Sequence, residues 1–545
     1  MKRIVFVVSL LLATAIALTS CGPAPTAEPP AGTEAPATEA PAAGPVVLKI
    51  ADTANITTWD PIASFSTEAA YLANVYEQLL RINPPGLAEQ YTPLLAKSWE
   101  VSDDGLSWTF HLRDGVKFHD GEPMNAEAVK KSIEAAADHA GAAFIWLPLD
   151  TVEAVDDLTV KINLTYAAPM DLIASSLYGA WIISPKALES AAADENFWSD
   201  GKSYGTGPYM VESYTPDAEI VFTRNEEYWG GWEENQFDKV VVSIVPEAAV
   251  RVQMIEGGDV DLITAPPFDN LNIFEENPEF TVYKEPSFFD FVGFFNTLRP
   301  PLDNVKVRQA LSYAIPYEDI IQIGALGLGT QSHGPVPAGV FPWDESVPQY
   351  SYDLEKAKTL LKEAGYENGG FKIRLTHAAE NSTEATFAPL IKDAFAELGV
   401  EVSIEPIAWN QQWELAKTDP ANAQDMFLLL YWPTYSDAGA DNMWSMFYGG
   451  AEPPYLNVTN FNLSYWKNDQ YNAIMDEAGA LTATDYEGSR AKYVEAMSIL
   501  VEEAPAVFFF DTMDAFIVPK HIEGFKYNLN YPFVRYFFYE LRAAE

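Results

Sequence analysis

The chain has 545 residues, enough for a large core and two or three domains. Asp and Glu number 78 against 33 Lys and Arg, a formal net charge of -45, which excludes binding to nucleic acid through its phosphates. Its single cysteine, Cys21, excludes a disulfide framework and a cysteine-based metal site.

Lys2 and Arg3 lead into an apolar run from Ile4 to Leu18 that is too short for a transmembrane helix. Leu18-Thr19-Ser20-Cys21-Gly22 follows and resembles a bacterial lipobox, in which the cysteine becomes the lipidated first residue. Residues 1–20 are therefore read as a lipoprotein signal peptide and Cys21 as the lipidation site. Gly22 to Pro45 contains only Gly, Pro, Ala, Thr and Glu. Such a segment has nothing to bury, and its prolines stiffen it toward an extended form of roughly 3 Å per residue. Residues 21–45 are read as a disordered tether, with the folded body starting near Val46.

Val46 to Ala51 reads as the first strand, followed by a loop that carries Trp59 and by a helix from Tyr71 to Leu80. Trp108, Phe110 and Leu112 alternate with Thr109, His111 and Arg113, which places three large apolar groups on one face of a strand. Asp104-Gly105, Asp114-Gly115 and Asp120-Gly121 are tight-turn signals, so this stretch is an antiparallel meander. Asn125 is placed to cap a helix that starts at Ala126. Thr151 to Leu164 alternates as a hairpin that turns at Asp156-Asp157.

Further on, Val305 to Ala314 is helical by period. Phe371 to Thr376 and Val400 to Pro406 read as strands flanking a helix from Ala385 to Leu398, an α/β arrangement. Met426 to Tyr431 is an apolar strand, and Ser489 to Glu503 is a helix that ends before Pro505.

Gly201-Lys202-Ser203-Tyr204-Gly205 is a formal G-x-S-x-G match. A nucleophile elbow needs a strand before the serine and a helix after it, and here the order is reversed. A serine hydrolase using Ser203 is thus the weaker reading, and a turn is the stronger one. None of the six histidines shows helical metal-site spacing, and His111 and His119 read as surface or turn residues. No metal or other cofactor is expected. The loop from Tyr431 to Asn442 is dense in aromatics and carboxylates and follows a strand, where open α/β sheets bind ligands.

The stretch PLLAKSWEVSDDGLSWTFHLRDGVKFHDGEPMNAEAV, Pro93 to Val129, is similar to the signature of the family 5 solute-binding proteins of ABC importers, the peptide/nickel type. Gly205-Thr206-Gly207-Pro208-Tyr209, the block from Asn296 to Ile315 and the segment from Tyr352 to Tyr366 resemble further family patterns. The resemblance spans roughly Val46 to Arg542. It implies an α/β, two-lobed periplasmic-binding-protein fold (class II, the large three-domain type) with a ligand cleft between lobes. Domain I would take 46–85, 205–300 and 506–545, domain II 86–204 and domain III 301–505, with crossings near Pro300 and Pro505.

The implied role is capture of a peptide, alternatively an oligosaccharide or another small polar solute, and its delivery to a permease. The ATPase is a partner chain, and no residue of this one is catalytic. The protein would be a monomer outside the cytoplasm, lipid-anchored in a periplasm or at a cell surface. The loop resembles the family's W-x-x-D-Y-x-D-P ligand loop, in which the aspartate three residues after the tryptophan pairs with the peptide ammonium. Counted from Trp432, that position is Tyr435. Asp437 is then the candidate replacement. Trp413 matches a ligand-lining tryptophan of the family, and Tyr431, Trp432, Tyr435, Trp409 and Trp59 are the other candidates for the cleft.

Overall fold

Val47–Asp52 pairs in parallel with Lys239–Ile244 and with Leu262–Ile263, so the first strand is completed by segments far along the chain. Glu219–Arg224 and Tyr209–Thr215 extend this five-stranded sheet antiparallel. The computed structural model describes residues 45–545 except 54, 55, 57, 65, 66, 85, 86, 140, 141, 380, 434–436, 438, 458–460, 532 and 545. The signal peptide, Cys21, the tether to Gly44 and Tyr435 lie outside the described residues. Among the described residues, no helix is long and apolar enough to cross a membrane.

The meander forms as its pattern dictates. Ala96–Val101, Ser107–Leu112, Thr159–Leu164 and Leu149–Asp156 make a four-stranded antiparallel sheet. Trp108, Phe110 and Leu112 are all buried on one face. Gly105, Gly115 and Gly121 have φ of 70°, 76° and 86°, the left-handed turns for which glycine is needed. The Asn125 side chain caps Ala126–Asp138 by accepting from the Ala128 amide at 3.0 Å.

The second half of the molecule is built on a six-stranded sheet. Its order is Gly329–Gln331, Ala506–Pro519, Phe280–Phe295, Met426–Tyr431, Lys372–Ala378 and Glu401–Ile407. Lys372–Ala378 and Glu401–Ile407 are parallel and are joined by the helix Ser382–Ala396, a βαβ crossover. Met426–Tyr431 lies between two cores. Phe427, Leu429 and Tyr431 face one, while Met426 and Leu428 face the other, which explains its unbroken apolar run.

Phe280–Phe295 and Ala506–Pro519 pair antiparallel from Phe280↔Pro519 to Phe294↔Ala506. Ala515 and Ile517 pack with Ala51 of the first sheet, whereas Val507, Phe509 and Phe510 pack in the second half. These two strands therefore carry the chain between the halves, and the expected crossings near Pro300 and Pro505 lie at their far ends. The register shifts between Pro286 and Asp290.

One expectation needs correction, and two residues need placing. The helix expected over Tyr71 to Leu80 is only Ala69–Val75, and Leu80–Ile82 is a strand. Glu77 is drawn inward to accept from Thr206 Oγ1 at 2.8 Å, Tyr228 Oη at 2.9 Å and Trp229 Nε1 at 2.9 Å, and this network outweighs helical continuation. His119 lies in a turn, as expected, and is half-buried. Its Nε2 lies 2.9 Å from the Gly207 carbonyl, and burial lowers its pKa to about 4. Ser203 accepts from the Val211 amide at 2.6 Å, which pins the turn after Gly201.

Candidate functional site

A cavity of about 490 Å³ lies between residues 144–173 and residues 437–493. One wall descends from the strand Met426–Tyr431. The chain leaves that strand into a loop held by the Asp441 amide donating to the Asp437 carbonyl at 3.0 Å and by Asn442 Nδ2 donating to the Pro335 carbonyl at 2.8 Å. Asp437 is buried and, with Asp441, Trp444, Ser445 and Tyr448, faces the cavity. Gly439 makes room for this: a Cβ there would stand 2.6 Å from the Tyr493 ring. Tyr493 completes this side, and its hydroxyl is pushed to a higher pKa by burial and then by the charge of Asp437.

The helix Asp469–Leu481, capped by Asn468, adds Met475, Asp476, Gly479 and Ala480. The opposite wall is Phe144, Ile145, Leu147 and Pro148 together with Tyr166 to Pro169 and Ile173. Phe144, Leu147 and Tyr166 are 38%, 51% and 51% exposed, so large apolar groups stand open on this side. Among the described residues that line the cavity, three are aspartates and none is Lys, Arg or His.

The halves also touch around the cavity. Gln90 Nε2 donates to Tyr486 Oη at 3.4 Å. The Trp432 side chain hydrogen-bonds Tyr178. A Cβ on Gly105 would meet Thr484 at 3.2 Å, so the Asp104-Gly105 turn reaches the connection between the last two long helices.

The structure separates the residues picked from the sequence. Asp437 lines the cavity. Tyr431 stands behind the wall, its hydroxyl 3.4 Å from Asp441 Oδ1 and 3.2 Å from Ser445 Oγ. Trp432 lies outside the lining, packed edge-on against Phe289 and Phe533 at 5.7 Å each. Trp413 is further back, against Phe461 at 4.3 Å, which in turn contacts Tyr431 at 5.5 Å. Trp409 stacks on Trp413 at 6.0 Å and is exposed. Trp59 is buried in the first half against Tyr214 at 5.2 Å and does not line the cavity. Trp59 packs in the core and Trp413 and Trp432 are partly buried against it, a role this residue type serves equally well, while Trp409 stands at the surface.

Sequence reasoning missed Asp476, Trp444, Tyr448, Tyr493 and the whole apolar wall. One signal was available. Met475, Asp476, Gly479 and Ala480 share one helical stripe, and two small residues there leave room that a buried helix would fill.

The family model for bacterial extracellular solute-binding proteins, family 5 Middle, matches residues 90–454. The chain is 33% identical over 442 residues to heme-binding protein A of Haemophilus influenzae, covering 76% of this chain and 77% of that protein. It is 30% identical over 427 residues to the glutathione-binding protein GsiB of Pectobacterium atrosepticum, covering 76% and 79%. The solved dipeptide-binding protein of Pseudoalteromonas sp. SM9913 in complex with Met-Leu superposes with a TM-score of 0.74 at 25% identity, covering 91% of this chain and 100% of that one.

Proposed function

The chain belongs to the bacterial extracellular solute-binding proteins of family 5, the extracytoplasmic binding components of ABC importers, and we propose that its cargo is a short peptide whose ammonium group is held at Asp437. The observation that carries this reading is the sign of the cavity: three aspartates and no basic residue among the described lining. An ammonium group there gains charge-assisted hydrogen bonds in a site partly withdrawn from water. The volume suits a small organic ligand. The relative that binds glutathione and the solved neighbour that holds Met-Leu support a peptide.

The mechanism needs no catalytic residue. Solute enters while the halves are apart, and contacts to both walls draw them together about the strands Phe280–Phe295 and Ala506–Pro519. The closed form then docks on the permease, and ATP is hydrolysed by a partner. The division into domains I, II and III expected above belongs to the same proposal, with the strands Phe280–Phe295 and Ala506–Pro519 shared between the halves. Ser203 serves as a structural acceptor and not as a nucleophile. Lipidated Cys21 and the tether would hold the monomeric body near a membrane; several buried acyl chains anchor firmly.

The test is mass spectrometry of the small molecules released on denaturing protein that starts at Gly22. A ladder of short peptides is the expected result. A hexose-spaced series would replace the peptide with an oligosaccharide.

A further inference from the structure

The two walls of the cavity differ in kind. Residues 144–173 contribute apolar groups and no charge, with Phe144, Leu147 and Tyr166 open to solvent. Among the described residues, every carboxylate of the lining comes from the other half, as Asp437, Asp441 and Asp476. The basic residues near these helices are engaged elsewhere. Lys492 Nζ binds Glu477 at 2.7 Å, and Arg490 Nη1 donates to the Trp343 carbonyl at 3.0 Å. None of the undescribed positions after Gly44 is Lys, Arg or His. An ordinary free peptide brings its own terminal carboxylate, and inside this cavity that group would face like charge with no cation to pair it.

A second feature lies away from Asp437. Tyr448 Oη donates to Asp476 Oδ2 at 3.2 Å, and the Tyr448 and Trp444 rings lie 5.6 Å apart at 33°. A carboxylate in a lining that also carries two aromatic rings is a site for an organic cation, which gains the ion pair and, where it reaches a ring face, the quadrupole. Asp476 is exposed, so a cation there keeps part of its hydration.

Resting on the peptide reading above, we infer that the cavity selects amphipathic, net-cationic peptides: a bulky apolar side chain lies on the 144–173 wall, a second cation sits at Asp476 against Tyr448 and Trp444, and the terminal carboxylate is absent or held outside. Selection then follows charge balance as well as size. A basic side chain such as Lys or Arg is favoured, and an acidic one is rejected.

Calorimetric titration of the body with Phe-Lys amide, Phe-Lys free acid and Phe-Glu free acid tests this. The amide should bind at least about tenfold tighter than the free acid, and Phe-Glu should bind weakest, at least about tenfold below Phe-Lys free acid. The Asp476→Asn variant should lose about tenfold for Phe-Lys amide and lose the preference for Lys over Glu, while Asp476→Glu restores both. A thermal unfolding scan confirms that each variant is folded. Equal affinity for all three peptides, or a free acid tighter than its amide, overturns the selectivity and leaves the peptide reading standing. Binding of none overturns both.

Discussion

Glu77 and Asp437 are both buried carboxylates, and of the two only Asp437 borders the cavity. Glu77 takes three side-chain donors, from Thr206, Tyr228 and Trp229. Burial raises its pKa and those donors pull it back, so the fold itself answers the charge. Asp437 faces a cavity with Asp441 and Asp476, in a lining with no basic residue among the described positions. A carboxylate whose donors come from the fold is structural. Under the proposed function, one that faces an acidic cavity is where a cationic group of the cargo binds. The comparison separates architecture from recognition more sharply than residue type does.

The largest effect is expected at the structural carboxylate. Glu77→Ala leaves three buried donors without an acceptor and should cost about 3 kcal/mol or more, read as a shift of the urea midpoint. Asp437→Asn should do the reverse. It should leave the unfolding midpoint near that of the parent and weaken peptide binding roughly tenfold to hundredfold by calorimetry.

A third arrangement sharpens the contrast. Asp290 and Asp511 are register partners on the two strands that link the halves, and both are buried. Asp511 accepts from Ser332 Oγ at 2.6 Å and from the Ala338 amide at 2.9 Å. Neither Asp290 oxygen has a hydrogen-bond partner among the described residues. Burial raises Asp511 to about 7, and burial and then the charge of Asp511 raise Asp290 well above the usual carboxylate range. The folded protein thus binds protons that the unfolded chain releases near pH 4. Stability from this pair is complete below about pH 4 and declines as pH rises through about 7. Asp290→Asn should flatten that decline, read as the thermal midpoint between pH 5 and pH 8.

The smallest effect is expected where aromatic residues sit away from the cavity. Trp59→Phe and Trp409→Ala should each leave peptide affinity within about twofold, since Trp59 packs on Tyr214 and Trp409 on Trp413. A tenfold loss from either by calorimetry would show that the lining is wider than the structure places it.

The fold was readable wherever a residue pattern answers to one neighbour. The alternation through Trp108, Phe110 and Leu112 with its Asp-Gly turns determined a strand and its buried face. The helix Val305–Ala314 and the strand Met426–Tyr431 run where their periods place them. Of the described residues picked from the sequence, the candidate cavity takes in Asp437 and, one layer back, Tyr431. A tryptophan fits a core and a cleft equally well, so Trp59, Trp409, Trp413 and Trp432 carried no signal to separate the two. The apolar wall is assembled from segments whose residues look like ordinary core until the opposite half stands across from them. Glu77 illustrates the same limit in the fold: three distant donors end a helix that local pattern would continue.

The most direct test is a cycle of four calorimetric titrations: one dipeptide and its N-acetyl derivative, each with the parent protein and with Asp437→Asn. If the ammonium group pairs with Asp437, acetylation should weaken binding to the parent by at least about tenfold and have little further effect on the variant. Equal affinity of the parent for the free and acetylated peptides would contradict the assignment of Asp437 as the anchor.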